Sequence, residues 1–253
     1  MSRREVVVTG LGIVSPVASE LNQFWDGIKN GKSGIQRVAN VENIETYPVQ
    51  IGGEIRDLDV LQYLDPKEAR KIDPFAIWGI IAAAKAIEDS GIDVEAIDSD
   101  RAGVIASSGI GGMQMMQDQC FNALKKGPTR ISPQLIPQMI VNILSGYIAI
   151  RYGLKGPNFC VTSACASATH SIGEAMRVIQ YGDADVMIAG GAEASVAMLG
   201  IGGFAALRAT SRRNDDRFGS RAPFRAITSP GRTSLLKRSS NCRNVCECGA
   251  TRQ

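Results

Sequence analysis

The sequence predicts an α/β domain in which a largely parallel sheet is covered by helices on both faces. Three observations carry this. Short, β-branched apolar runs alternate with longer segments whose apolar residues recur at three- and four-residue steps. The runs at 5–13 and 186–191 are apolar almost throughout, as strands buried on both faces must be. Gly91 and Gly182 each follow a helical pattern, where a helix stop is wanted.

Taken in order, residues 5–13 read as a strand ending in Gly10-Leu11-Gly12, and a helix follows over about Asn22 to Lys29. The resulting Gly-x-Gly-x-x-Ser is a near miss for a dinucleotide fingerprint. Ser15 stands where the third glycine belongs, Pro16 follows at once, and no second strand ends in an acidic residue about 20 residues on. A tight strand-to-helix turn is the reading adopted. A long helix spans about Ile72 to Ser90, where Ala82-Ala83-Ala84 permits close packing. Arg101 to Gly112 is a strand running into a glycine-rich turn. No Lys-Ser/Thr pair makes that turn a phosphate loop, so its glycines are read as letting backbone approach a ligand or a neighbouring strand. A further helix is expected over about Ser132 to Arg151. After the breaker Gly156-Pro157, Asn158 to Thr162 reads as a strand. The helix beyond it carries Ala168, Ile172, Ala175, Met176 and Ile179 at helical spacing.

At 253 residues and 44% hydrophobic, the chain suits one large domain or two small ones. No run of 18 apolar residues is present, so no membrane span is expected. The basic start Met1 to Arg4 lacks a cleavage pattern and leads into the first strand, which predicts a cytoplasmic protein. Cys120, Cys160 and Cys165 have no disulfide-framework spacing. The net charge of +3 is unevenly spread. From Arg217 onward there are eight Lys/Arg against the single Glu247, leaving 20 Lys/Arg and 24 Asp/Glu in residues 1–216. The chain is therefore divided into a domain over 1–216 and a basic tail over 217–253, read as a disordered or out-of-frame extension. Cys242, Cys246 and Cys248 in that tail fall one ligand short of a closed zinc site, so no metal is expected. A basic tail binding nucleic acid is the sharper alternative.

Chemistry gathers at Cys165, in Val161-Thr162-Ser163-Ala164-Cys165-Ala166-Ser167. The strand-to-helix reading puts this thiol in the first helical turn, where unpaired N–H groups and the helix dipole favour an anion. The thiolate is the nucleophilic form, and the small neighbours leave room for a substrate carbonyl whose oxyanion the same amides could hold.

With these pieces in order, the chain resembles the β-ketoacyl-[acyl-carrier-protein] synthases of the thiolase superfamily, most of all the synthase II branch. The resemblance rests on Val7 to Gly12, Gly31 to Ile35, Ser108 to Gly112, Gly153 to Pro157, Gly182 to Glu193 and Gly203 to Ala209, in that order, and reaches about Asp216. It implies a thiolase-like fold, here the N-terminal αβα half of a five-layered αβαβα architecture. It also implies decarboxylative condensation of an acyl-cysteine enzyme with malonyl-carrier protein. On this resemblance Cys165 is the nucleophile, with its own N–H as one oxyanion donor. Ile110 gates the acyl pocket, and Phe204 lies in a loop like the family's lid. Lys67, Arg70, Lys71, Arg130 and Arg208 match positions that dock an acidic acyl carrier protein. No cofactor, metal, nucleic acid or membrane is implied, while acyl and malonyl thioesters are. Homodimerisation is implied through the strand near Asn158 to Thr162.

The departures matter equally. Two histidines and a lysine of the family come from a C-terminal half with no counterpart here. His170, the single histidine, is five helical residues from Cys165 and is read as structural. The chain alone is not expected to condense. The strand that should follow Asp216 is missed, which predicts an open edge beside Val186 to Ala189, and the outer face of the helix after Cys165 is expected to meet water. A non-catalytic carrier-binding or dimer-partner subunit, like a chain-length factor, is the alternative; Cys165 speaks against it.

Overall fold

The computed structural model describes residues 4–215, 227–228 and 231–238. In chain order its elements are β1 (Val6–Val14), α1 (Leu21–Lys29), β2 (Gln36–Arg37), β3 (Ile51–Gly53), α2 (Pro66–Ala69), α3 (Pro74–Ser90), β4 (Ala102–Ser107), α4 (Met113–Lys126), α5 (Leu135–Met139) and α6 (Ile143–Tyr152). They continue with β5 (Asn158–Phe159), α7 (Ser167–Tyr181), β6 (Val186–Gly191), α8 (Met198–Ala206), β7 (Ile227–Thr228) and β8 (Gly231–Arg238).

The main sheet has the order β1-β8-β6-β4-β5. β6, β4 and β5 are parallel, whereas β8 runs antiparallel to both of its neighbours. Pleat alternation divides the side chains between two apolar layers. Val104, Ala106, Val186 and Ile188 join the larger core, to which α3 contributes Phe75, Ile80 and Ile81 and α6 contributes Leu144 and Ile148. Ile105, Met187 and Ala189 face the other way and pack with Ala175 and Ile179 of α7. This is the expected helix–sheet–helix sandwich. A third cluster, Val38, Val41, Ile44, Val49, Ile201 and Ala205, joins the segment around β2 and β3 to α8.

Several expectations are corrected. Gly10 and Gly12 form no turn; both lie inside β1, which continues to Val14. They are small because α3 crosses there: a Cβ on Gly12 would stand 1.9 Å from the Ala82 carbonyl oxygen, and one on Gly10 would stand 2.1 Å from that of Ala86. The helix expected over 132–151 is two helices. The chain leaves α5 at Ile140, whose backbone is extended, and re-enters helix at Ile143. The break is occupied by the glycine turn, with the Gly112 N–H donating to the Met139 carbonyl at 3.1 Å. Helix α4, left unassigned in the sequence, follows that turn. The strand expected over 158–162 pairs only at Asn158 and Phe159.

The expected open edge beside Val186 to Ala189 is also corrected. β8 fills it, pairing Val186 with Lys237 through Gly191 with Arg232 on one side and reaching β1 on the other. No helical or strand period marks this segment in the sequence; the two waiting edges supply its hydrogen-bond partners. The cysteines at 242, 246 and 248 lie outside the described residues. The outer face of α7 does meet water, with Ile172 and Met176 exposed one helical turn apart.

Candidate active site

Cys165 is not in the first helical turn. Helix α7 begins at Ser167 behind the cap residue Ala166, so the cysteine stands on the elbow just before it and is exposed. Ala164 makes the elbow sharp, with φ of 52° in the left-handed region. An alanine held there costs about 1–2 kcal/mol. Local hydrogen bonds hold it in place. The Ser167 hydroxyl donates to the Ala164 carbonyl at 2.7 Å and accepts the Ser163 N–H at 2.9 Å, while the Ser167 N–H also donates to the Ala164 carbonyl at 3.1 Å. No acceptor takes the Cys165 N–H among the described residues. His170 lies on α7 with Nδ1 2.5 Å from the Ser163 hydroxyl, a bond that braces the elbow.

Buried serines fix the elbow to the sheet. The Ser107 hydroxyl, at the end of β4, lies 2.5 Å from that of Ser171 on α7 and accepts the Val161 N–H at 3.0 Å. Ser145 on α6 accepts the Ala106 N–H at 2.8 Å, and its one hydroxyl proton is shared between the carbonyls of Ala106 and Phe159, each 2.9 Å away, latching β4 to β5.

The glycine turn after β4 forms the opposite wall. A Cβ on Gly109 would stand 3.2 Å from the Ala164 carbonyl oxygen, so this glycine permits the close approach expected of the turn. Glu193, just beyond β6, accepts the Ser108 hydroxyl on Oε1 at 3.2 Å and the Gly109 and Ile110 N–H groups on Oε2 at 3.0 and 3.1 Å. Burial pushes its carboxyl up, against the opposing pull of these donors. Asp73 caps α3 by accepting the Phe75 N–H at 3.1 Å and reaches α4 by accepting the Met115 N–H at 2.9 Å. Burial raises its pKa to about 6, with the Asp118 and Glu193 carboxylates adding to the rise.

Of the residues singled out in the sequence, Cys165 and Ile110 are thus joined through Ala164 and Gly109. Ile110 is exposed on the turn. Phe204 is corrected: it sits in α8, not a loop, half-buried against the third cluster with Tyr47, Val196 and Met198. Lys67, Arg70, Lys71, Arg130 and Arg208 are all exposed, on or after α2, before α5 and after α8. Arg130 shares a surface hollow with Asn122 and Lys126, and Lys126 was not singled out in the sequence. Asp73 and Glu193 were also missed as site residues. The available signals were a carboxylate two residues past a fully apolar strand for Glu193 and an Asp-Pro helix start for Asp73.

The geometry has clear relatives. The family model described as the beta-ketoacyl synthase N-terminal domain matches residues 3–228. A 3-oxoacyl-[acyl-carrier-protein] synthase 2 of Coxiella burnetii is 44% identical over 216 residues, which is 85% of this chain and 52% of that protein. A beta-ketoacyl synthase of Burkholderia phymatum superposes with a TM-score of 0.81 at 24% identity, over 94% of this chain and 60% of its own. A ketosynthase solved in complex with its type II polyketide acyl carrier protein gives 0.75 at 22%, over 94% and 64%. The chain spans about half the length of the curated relatives it matches. From the match over most of its length, the chain belongs to the beta-ketoacyl synthase family and carries that family's N-terminal domain.

Proposed function

We propose that this chain supplies the acyl-accepting half of a 3-oxoacyl-[acyl-carrier-protein] synthase of fatty-acid synthesis. The observation that carries the reading is the exposed Cys165 on its left-handed elbow, with an uncommitted N–H beside the sulfur. In the reaction the Cys165 thiolate attacks the carbonyl of an acyl thioester, the bond to the carrier sulfur breaks, and the carrier leaves as its thiolate, which takes a proton from water. The tetrahedral oxyanion accepts from the Cys165 N–H. Condensation with a malonyl thioester needs donors that the resemblance assigns to a further half, and His170, committed to Ser163, is not one of them.

The donor is an acyl carrier protein held by the exposed cations Lys67, Arg70, Lys71, Arg130 and Arg208, on a body whose residues 1–216 are otherwise acidic. A cytoplasmic homodimer is the assembly proposed, and no helix among the described residues is long and apolar enough to cross a membrane. Sedimentation reads the dimer; a monomer at all concentrations removes that element.

The test is intact-mass kinetics on the full chain. Acyl-carrier protein and acyl-coenzyme A are each offered, and the acyl adduct is mapped. The expected result is a single adduct at Cys165, alkylation of Cys165 by iodoacetamide at least about tenfold faster than of Cys120, which is also exposed, and loss of the carrier protein's advantage over coenzyme A in Arg70→Glu. No adduct, or equal alkylation of Cys120 and Cys165, sinks the nucleophile assignment. An Arg70→Glu variant that keeps the carrier preference removes the docking assignment.

A further inference from the structure

We infer that Glu193 is a positioning residue that sets the gap between the glycine turn and the cysteine elbow, and so the length of acyl chain that Cys165 accepts. This rests on the reading of Cys165 as the acyl acceptor.

Four consecutive residues hang from one carboxylate. Oε1 takes the Ser108 hydroxyl and Oε2 takes the N–H groups of Gly109 and Ile110. Ser108 passes the hold on, because its own Oγ accepts the Gly111 N–H at 2.9 Å. The turn after β4 is therefore registered to the end of β6 from Ser108 to Ile110, and Ser108 extends that hold to Gly111.

The turn is also in contact with the elbow. At Gly109 an added Cβ would lie between Glu193 Oε2 at 3.0 Å and the Ala164 carbonyl oxygen at 3.2 Å. The Thr162 hydroxyl reaches the Ser108 carbonyl at 3.4 Å. Carboxylate, glycine and elbow thus form one stack, and Cys165 is the next residue along. Ile110, one residue past the stacked glycine, presents an apolar side chain to solvent while its own N–H is bound to Glu193. Displacing the carboxylate moves the turn, and the turn carries Ile110 with it.

The chemistry of the group suits the task. A carboxylate is acceptor-only, so it can satisfy a hydroxyl and two amides at once, whereas an amide in its place must aim one NH2 at the same donors. Burial holds the Glu193 carboxyl above the ordinary carboxylate range, so its grip depends on these partners.

The experiment compares wild type, Glu193→Gln and Glu193→Asp as full chains. Two readouts are taken: amide hydrogen exchange at Gly109 and Ile110, and Cys165 acylation by coenzyme A thioesters of increasing chain length. In Glu193→Gln, exchange at both amides is expected to rise at least tenfold. Acylation by long thioesters is expected to fall at least tenfold more than by short ones, with iodoacetamide alkylation of Cys165 within about twofold of wild type. Glu193→Asp recovers part of both effects. A merely structural role would slow alkylation and all chain lengths together, and that result overturns the proposal. So does unchanged exchange at Gly109 and Ile110. Should Glu193→Gln fail to fold, unprotected exchange of the Ile110 amide in wild type overturns it alone. A wild-type chain that takes no acyl group, yet shows the exchange effect, sinks the acyl-acceptor reading and leaves Glu193 as the anchor of the turn only.

Discussion

At Ala164 the chain takes a conformation that an alanine avoids, and the elbow serines hold it there. Asp73 is the second residue under stress. Its proton comes off near pH 6 in the folded chain and near 3.8 when exposed. Across that interval the folded state holds more protons, so Asp73 makes the protein more stable as pH falls from about 6 to 4 and adds nothing to the slope above that range. The effect is bounded at about 3 kcal/mol. Urea unfolding of wild type and Asp73→Asn at pH 4.5 and 7 checks the sign: the gain on acidification is expected to shrink in the variant. An unchanged difference would show that Asp73 titrates normally. The position of Cys165 between a strand and a helix was legible in the sequence, because the breaker Gly156-Pro157 before it and the helical period from Ala168 after it bracket the junction. Asp73 and Glu193 were not, since their importance comes from donors far along the chain, at Met115 and in the glycine turn.

At the scale of elements, the contact between β1 and α3 depends on two glycines. Gly12 lies so close to Ala82 that a methyl group forces the strand and helix apart. Gly12→Ala is expected to destabilise the fold by about 2–4 kcal/mol, read as a lowered urea midpoint at unchanged slope. A loss under ~0.5 kcal/mol would show that the two elements yield easily. The sequence predicted α3 closely because its ends are local: Asp73 caps one and Gly91, at φ of 62°, stops the other. The break between α5 and α6 was illegible for the opposite reason. Nothing between Ile140 and Asn142 forbids a helix; the distant Gly111-Gly112 backbone occupies the space a continuous one would need.

On the scale of the whole molecule, the sheet depends on its latest strand. β8 lies between β1 and β6, so its backbone groups serve two neighbours at once. Proline at Leu235, which stands opposite both Gly10 and Ile188, removes a ladder N–H from the middle of the sheet. A loss of about 3 kcal/mol or more is expected for Leu235→Pro, measured by chemical unfolding; an unaltered midpoint would show that the sheet stands without this strand. Composition concealed β8, because a basic, serine-rich stretch carries no strand period of its own.

That placement governs how the polypeptide must be made. Val6 meets Arg238 across the sheet, so opposite extremes of the described chain have to find each other before the central lane is filled. Loop closure over such a separation is slow, and it precedes any reward from the contacts it creates. A ribosome will have released nearly every other strand and helix while the groove between β1 and β6 still stands vacant. For that interval the nascent protein exposes two hydrogen-bonding margins to its surroundings, and its survival is decided by whatever shelters them until translation catches up.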